Sequence, residues 1–280
     1  MTNKSQSETA SAFEGHVNVP DVPEFAYYRQ PELWEMSRYQ SDYDQRLRAR
    51  VVASMIDPGV ESILDVGCGN GFVTRHLNAR QRVVGLDASP EALAHFDGKS
   101  VLGAADNLPF QKGEFEAVTC CEVLEHLPAE VFRSAVSELR RVARKYILVG
   151  VPYHEDLSVN MTRCGHCGTI YHLWLHRRSF RSPATVCRYF PEFAINASAF
   201  LGQRLEILSA AFRFVRKLAP PSARSDLARC PQCGAGQDLR PKIGVFHRCA
   251  QRCVQGLAWR MPKRRVPNWM IVLMERRAQS

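Results

Sequence analysis

Short apolar runs alternate with longer amphipathic stretches over the first two hundred residues of this chain, and that rhythm predicts most of its elements. Trp34, Tyr39, Tyr43, Leu47, Val51 and Met55 fall near helical spacing and predict a helix over residues 31–56, ended by Asp57-Pro-Gly59. Ser62–Val66 is a short apolar run entering Gly67-Cys-Gly-Asn-Gly71, with a helix predicted from there to about Ala79. Arg82–Leu86 predicts a second strand, closed by Asp87. Ser89-Pro90 opens the next helix, with serine as N-cap and proline at the first helical position. Further strands are predicted at Val101–Ala105, Phe115–Cys121 and Tyr146–Val151, with a helix over Ala129–Arg144 before the last. Then the rhythm breaks. Phe180–Phe190 reads as helix, Ala194–Leu201 as strand, Arg204–Leu218 as helix, Ala219–Ser222 as linker and Trp269–Met274 as a final strand.

Strands alternating with helices predict an α/β fold, a mostly parallel sheet covered by helices on both faces. Ligands of such sheets bind beyond the carboxyl ends of the strands. The chain of 280 residues, 45% apolar, is long enough for a substantial core. Residues 1–30 predict a disordered tail, and Met1–Ala12 shows no apolar run of a signal peptide. With no run of about 18 apolar residues, a membrane span is not expected, and the expected location is cytoplasmic. Charge is unevenly spread: residues 201–280 carry 16 Lys/Arg against 4 Asp/Glu, a net of +12, while residues 1–200 carry a net of −3. That basic region attracts phosphates or serves as a solvated face.

Three glycines at positions 67, 69 and 71 let a ligand approach the backbone closely, and the helix expected after them offers free N–H groups to a carboxylate. Asp87, at the second strand's end, is placed to accept hydrogen bonds from both hydroxyls of a ribose. Asp106 can accept from an exocyclic amine on adenine, with the Asn107 and Leu108 amides near the ring, and Asp65 can orient the loop or a cationic amine. An amino-acid end, a sugar and a base are thus accommodated in chain order. The dehydrogenase fingerprint G-x-G-x-x-G is not met, since the loop here reads G-x-G-x-G.

Leu64-Asp-Val-Gly-Cys-Gly-Asn-Gly71, Val84-Gly-Leu-Asp-Ala-Ser89, Ala105-Asp-Asn-Leu-Pro-Phe110 and Cys121-Glu-Val-Leu-Glu-His-Leu127 resemble, in order, the motifs of class I S-adenosylmethionine-dependent methyltransferases, the small-molecule type 11 group among them. The resemblance covers about residues 32–202 and the last strand. It implies a Rossmann-like, seven-stranded sheet whose last strand, near 268–275, runs antiparallel between strand five and a strand six at 194–201. It also implies cofactor contacts from Asp65, Gly67, Cys68, Gly69, Asn70, Gly71, Asp87, Ala88, Asp106, Asn107 and Cys121. His126 and Glu122 are the candidate catalytic residues; a base is needed only for a poorly ionised acceptor, and packing beside the cofactor is the competing role for His126. Trp34, Tyr39 and Tyr43 are candidates for a lid, or for core.

Cysteine use adds metal chemistry to this frame. Cys164, Cys167, His172 and His176 give C-x₂-C-x₄-H-x₃-H, and Cys230, Cys233, Cys249 and Cys253 give C-x₂-C-x₁₅-C-x₃-C. Each set offers four soft ligands suited to a closed tetrahedral Zn²⁺ site, so two small zinc-binding insertions with structural roles are predicted, with His166 and His247 as rival ligands. The expected organisation is a methyltransferase domain over residues 31–203 plus 266–280, a first zinc insertion at 153–178, and a helix, linker and zinc ribbon at 204–265. The expected acceptor is a small molecule or carrier-bound metabolite, with no membrane partner and no oligomeric state indicated. An RNA methyltransferase gripping phosphates through the basic ribbon, and a non-catalytic zinc scaffold, are the competing functions.

Overall fold

The structure, a computed structural model, describes residues 23–77, 82–207, 223–237, 256 and 260–278. Its N-terminal segment begins with a 3₁₀ turn at Pro23–Tyr27, followed by helices α1 (Met36–Ser41) and α2 (Tyr43–Met55). The single helix expected over 31–56 is broken at Asp42, whose extended backbone caps α2 as its carboxylate accepts from the Gln45 amide. Residues 23–30 are not a loose tail: Tyr27 is buried, and the Gln30 side chain donates to the Leu227 carbonyl at 2.7 Å. Residues 1–22 lie outside the described residues.

Strands β1 (Ser62–Val66) and β2 (Arg82–Asp87), the short helix α3 (Pro90–Leu93), β3 (Lys99–Leu102), β4 (Phe115–Cys121), α4 (Ala129–Val142) and β5 (Ala143–Pro152) follow. After the glycine loop only a 3₁₀ turn at Thr74–His76 forms among the described residues. Next come the hairpin strands β6 (Met161–Arg163) and β7 (Ile170–His172), α5 (Pro183–Cys187), β8 (Phe193–Leu201), β9 (Arg204–Ile207), β10 (Lys263–Val266) and β11 (Trp269–Arg276). The helix expected from Arg204 is a strand over its first four residues, because Arg204–Ile207 pairs antiparallel with Lys263–Val266; the rest of that segment and the linker lie outside the described residues.

The main sheet has seven strands in the order β3-β2-β1-β4-β5-β11-β8, and β11 runs antiparallel to both its neighbours. This is the Rossmann-like order, with the last strand inserted beside β5. β1 is buried at every position because the sheet is covered on both faces. Phe132, Val136 and Leu139 of α4 and Val186 of α5 close one face; Val52 of α2 and the adjoining Ile56 close the other over Ile63, Leu148 and Ile271. Each such side chain contributes about 1.5–3 kcal/mol when taken from water. The carboxyl ends of β1, β2 and β4 therefore stand at the middle of a rigid platform, where the order reverses between β1 and β4. Among the described residues, no helix is long and apolar enough to cross a membrane.

Candidate active site

Gly67, Gly69 and Gly71 all take positive φ, at 71°, 55° and 76°, which lets the chain fold back tightly as it leaves β1. There is no room for a side chain: a Cβ on Gly67 would stand 2.1 Å from Val123 Cγ2, and one on Gly69 2.8 Å from the Trp34 ring. Gly67→Ala is accordingly expected to cost about 2 kcal/mol from strain and clash together, read as a lowered thermal midpoint. Asp65 is buried and accepts from the Thr119 hydroxyl at 2.7 Å and from the Thr74 hydroxyl, tying β1 to β4 and to the turn after the loop. Burial pushes its carboxyl up while both hydroxyls pull it back.

Asp87 closes β2 and reaches the same loop. Its carboxylate accepts from the Gly69 amide at 2.8 Å and the Ser89 amide at 2.8 Å. Burial is the largest influence on it and holds its pKa up to about 6, against the pull of those amides. Ala88 lies between these two capped positions. Asp106 and Asn107 sit in the turn after β3, where the Asn107 amide donates to the Ala104 carbonyl. The Leu108 amide is not free for a base, because it donates to Glu138 at 2.8 Å. Asn70 turns inward: its side chain donates to the Trp34 carbonyl and accepts from the Phe72 amide. Cys68 and Cys121 are buried, and burial pushes both thiols up, so their side chains pack and leave only backbone to meet a ligand.

A strap from the N-terminal segment crosses this loop. Trp34 lies against Gly69 and Tyr39 stacks near Phe72 at 5.4 Å, whereas Tyr43 is 67% exposed and takes no part. Tyr28 accepts through its carbonyl from the Ser89 hydroxyl and the Trp34 indole.

A protein of known family answers to these features. Residues 63–146 match the family model described as a methyltransferase domain. Over that stretch the chain is similar to a methyltransferase domain. It is 34% identical to a ubiquinone biosynthesis O-methyltransferase of Thiobacillus denitrificans, over 38% of this chain and 57% of that protein. It is 31% identical to a demethylmenaquinone methyltransferase of Thermotoga maritima, over 36% of this chain and 47% of that one. The chain thus spans about half the length of the curated relatives it matches. Among solved structures, one chain of the complex between the Haloferax volcanii Trm112 methyltransferase activator and a methyltransferase shares the fold, with TM-score 0.51, 15% identity, and coverage of 92% of this chain and 97% of that one.

At the end of β4 the methyltransferase domain gathers more ionisable groups than the sequence singled out. Glu122 has φ 58°, its carboxylate accepts from the Trp269 indole at 2.9 Å, and burial pushes it up against the pull of Arg48. His126 is held well below its usual pKa, by burial first and then by His176. Between them in sequence, Glu125 is fully buried, and neither of its carboxylate oxygens has a hydrogen-bond partner. Glu155, just past β5, binds His176 Nδ1 at 2.5 Å, and His172 stacks on His176 with centroids 4.9 Å apart. Glu125 was visible inside a quoted motif without a role; Glu155 carried no sequence signal at all.

The metal candidates regroup. Cys164, Cys167, Cys230 and Cys233 bring their sulfurs within 4.8 Å of one another, with Cys164–Cys233 at 3.7 Å and Cys167–Cys230 at 3.5 Å. His172 and His176 do not join Cys164 and Cys167: His172 at the end of β7 and His176 in the turn after it both stand beside Glu155. The pairing of Cys-x-x-Cys with its own downstream histidines is thereby corrected, and one cluster draws on both predicted insertions. Cys249, Cys253 and the rival His247 lie outside the described residues.

Proposed function

We propose that this protein is an S-adenosylmethionine-dependent methyltransferase of a small molecule or carrier-bound metabolite, with a structural zinc ion in the four-cysteine cluster. The observation that carries the first part is the Asp87 carboxylate at the rim of a glycine loop that admits no side chain. The bound cofactor supplies a methyl group made electrophilic by a sulfonium. Asp87 takes the ribose hydroxyls, Asp106 addresses the base with Asn107 beside it, and the loop from Gly67 to Gly71 meets the amino-acid end. Cys68, Ala88 and Cys121 line this cleft through backbone. Trp34 and Tyr39 exclude water from it, which leaves the chain the work of orientation. Glu122 and His126 stand on the proposed acceptor side, and burial keeps the His126 imidazole neutral there, which suits packing or ligation better than proton abstraction.

A cavity of about 570 Å³ lined by His154, Glu155, Asp156, Ser158 and Arg181 favours a small acceptor, since its volume falls in the small-molecule range. The exposed Lys263, Arg264 and Arg265 on β10 are what favour the RNA alternative. Incubating the protein with methyl-labelled donor and host extract, then fractionating, separates the two. Label is expected in the small-molecule fraction; label in RNA, with salt-dependent RNA binding, would overturn that acceptor class, and failure to bind cofactor by calorimetry would revive the scaffold.

Support for zinc is geometric. Four thiolates at the usual Zn–S bond length of about 2.3 Å form a tetrahedron with edges of about 3.8 Å, near the two sulfur separations here. Burial pushes Cys230 up to about 12, so it yields its proton only to a cation, whereas the Thr169 hydroxyl and amide draw Cys167 down to about 6. The eight described cysteines are all free, which supports a reducing, cytoplasmic setting.

A further inference from the structure

Three residues other than glycine take positive φ among the described residues: Glu122 at 58°, His154 at 49° and Leu175 at 58°. Each is part of, or one residue away from, a single buried nest made by the end of β4, the end of β5 and the turn after β7. The nest holds Glu122, Glu125, His126, Glu155, His172 and His176. Such conformations cost about 1–3 kcal/mol each and persist where the surroundings dictate them. Here they turn six ionisable side chains inward.

The nest is also incomplete. Both oxygens of Glu125, one oxygen of Glu122, Nδ1 of His126 and Nε2 of His172 are buried without a hydrogen-bond partner. A fully buried carboxylate with neither oxygen satisfied is costly, by several kcal/mol for an unpaired ion. The nearest cationic candidate, His126 Nε2, stops at 3.8 Å from Glu125 Oε1, beyond hydrogen-bond range.

We propose that Glu125, His126 and His176 bind a divalent transition-metal ion, distinct from the four-cysteine site, at the acceptor side of the cofactor cleft. The donor atoms of these three residues already lie within 4.8 Å of one another. Donors about 2.1 Å from a shared ion are about 3.0–4.2 Å apart, so the three donors need draw together by no more than about 1–2 Å, within the reach of side-chain adjustment. Two imidazoles and one carboxylate suit Zn²⁺, Mn²⁺ or Fe²⁺ and leave positions open on the ion.

The remaining members of the nest form the support such a ligand set requires. Glu155 accepts from Nδ1 of His176, which leaves the Nε2 lone pair of that ring for the ion. His172 accepts the His176 amide through Nδ1 at 3.3 Å, so its Nε2 carries the proton and faces Glu155 Oε1 at 3.6 Å. Glu155 thus holds His176, and the unpartnered Nε2 of His172 stands beside it. Glu155 also lines the 570 Å³ cavity, so the support of the ligand set borders a space of small-molecule size. An acceptor presenting a hydroxyl oxygen to the ion is the substrate class that follows; this last step rests on the methyl-transfer reading, whereas the ion itself does not.

The test uses the full chain, exchanged into chelator long enough to strip a labile ion while thiolate-bound zinc is retained. Titration with MnCl₂, followed by loss of the free Mn²⁺ paramagnetic resonance signal, is expected to show one ion bound per chain. Glu125→Gln and His176→Gln should each weaken binding at least tenfold, and Glu155→Gln by about 10–100-fold as an outer partner. Should a variant fail to fold, Co²⁺ uptake by the unaltered chain decides instead: weak d–d bands without sulfur charge transfer support the site. No second ion with Mn²⁺, Co²⁺ or Zn²⁺, or unchanged affinity in folded Glu125→Gln, overturns it. Calorimetry with S-adenosylhomocysteine on the same samples reports separately on the methyl-transfer reading.

Discussion

Asp87→Ala is expected to abolish methyl labelling and to weaken S-adenosylhomocysteine binding by at least a hundredfold, read by calorimetry. The size follows from what the carboxylate does. It is placed to accept two hydroxyl donors, and hydrogen bonds to a charged acceptor contribute about 1.5–3 kcal/mol each. It also holds the Gly69 and Ser89 amides, so its removal loosens the loop and the start of α3 together. The pH dependence separates these effects. Burial, as the largest influence, raises Asp87 to about 6 in the ligand-free protein. Hydroxyl donors require the ionised form, so cofactor affinity should fall as pH is lowered through about 6 and level off above about 7. The linkage for stability runs the other way: a carboxyl whose folded pKa is raised adds stability below its unfolded value, lost as pH rises through the folded value. Cofactor binding and fold stability should therefore move in opposite directions between about pH 4 and 6. Asp87→Asn should flatten both responses; an unchanged pH profile in that variant would remove Asp87 from the ribose site.

The sheet was legible in the sequence because it obeys one local rule. Runs such as Ser62–Val66 and Phe115–Cys121 are rich in apolar residues and almost wholly buried, with Ser62, Asp65, Glu116 and Thr119 as the polar exceptions, and each is followed by a glycine or a charged residue. Asp87 closes β2 as the pattern predicts, whereas β3 ends at Leu102 and leaves Asp106 in the turn beyond it. What escaped was set by contacts distant in the chain. Arg204–Ile207 has the periodicity of a helix start, yet a partner at Lys263–Val266 draws it into a ribbon. Glu155 and His176 are 21 residues apart and meet because the β6–β7 hairpin between them folds the chain back. The cysteine pairs gave the right residue types and the wrong partnership, since spacing describes each pair and says nothing of which pair it faces.

That partnership has the largest consequence for stability. Cys230→Ser is expected to release the ion held by the four cysteines and to unfold the surrounding module, while Cys249→Ser and Cys253→Ser retain that ion. Cys164, Cys167, Cys230 and Cys233 lie within 4.8 Å of one another and supply the four ligands that a closed tetrahedral site takes, which leaves no position for a fifth thiolate. The apolar material around them is thin: Tyr27, Tyr171, Leu173, Leu175 and Ala228 make up most of it. Binding of the proposed ion, on the order of 10 kcal/mol for such sites, is therefore expected to supply much of the local folding free energy. The damage should reach the cofactor. Tyr27 belongs to that small core, Gln30 donates to Leu227 within it, and four residues later Trp34 covers Gly69. Loss of the ion frees one end of the strap, so proteolysis should cut near residues 23–34 and S-adenosylhomocysteine should bind at least tenfold more weakly. Metal analysis by mass spectrometry, limited proteolysis and calorimetry on Cys230→Ser and Cys253→Ser in parallel decide the matter. Equal metal loss from both variants would return the ligand set to the spacing seen in the sequence, and intact cofactor binding after release would uncouple the strap from the module.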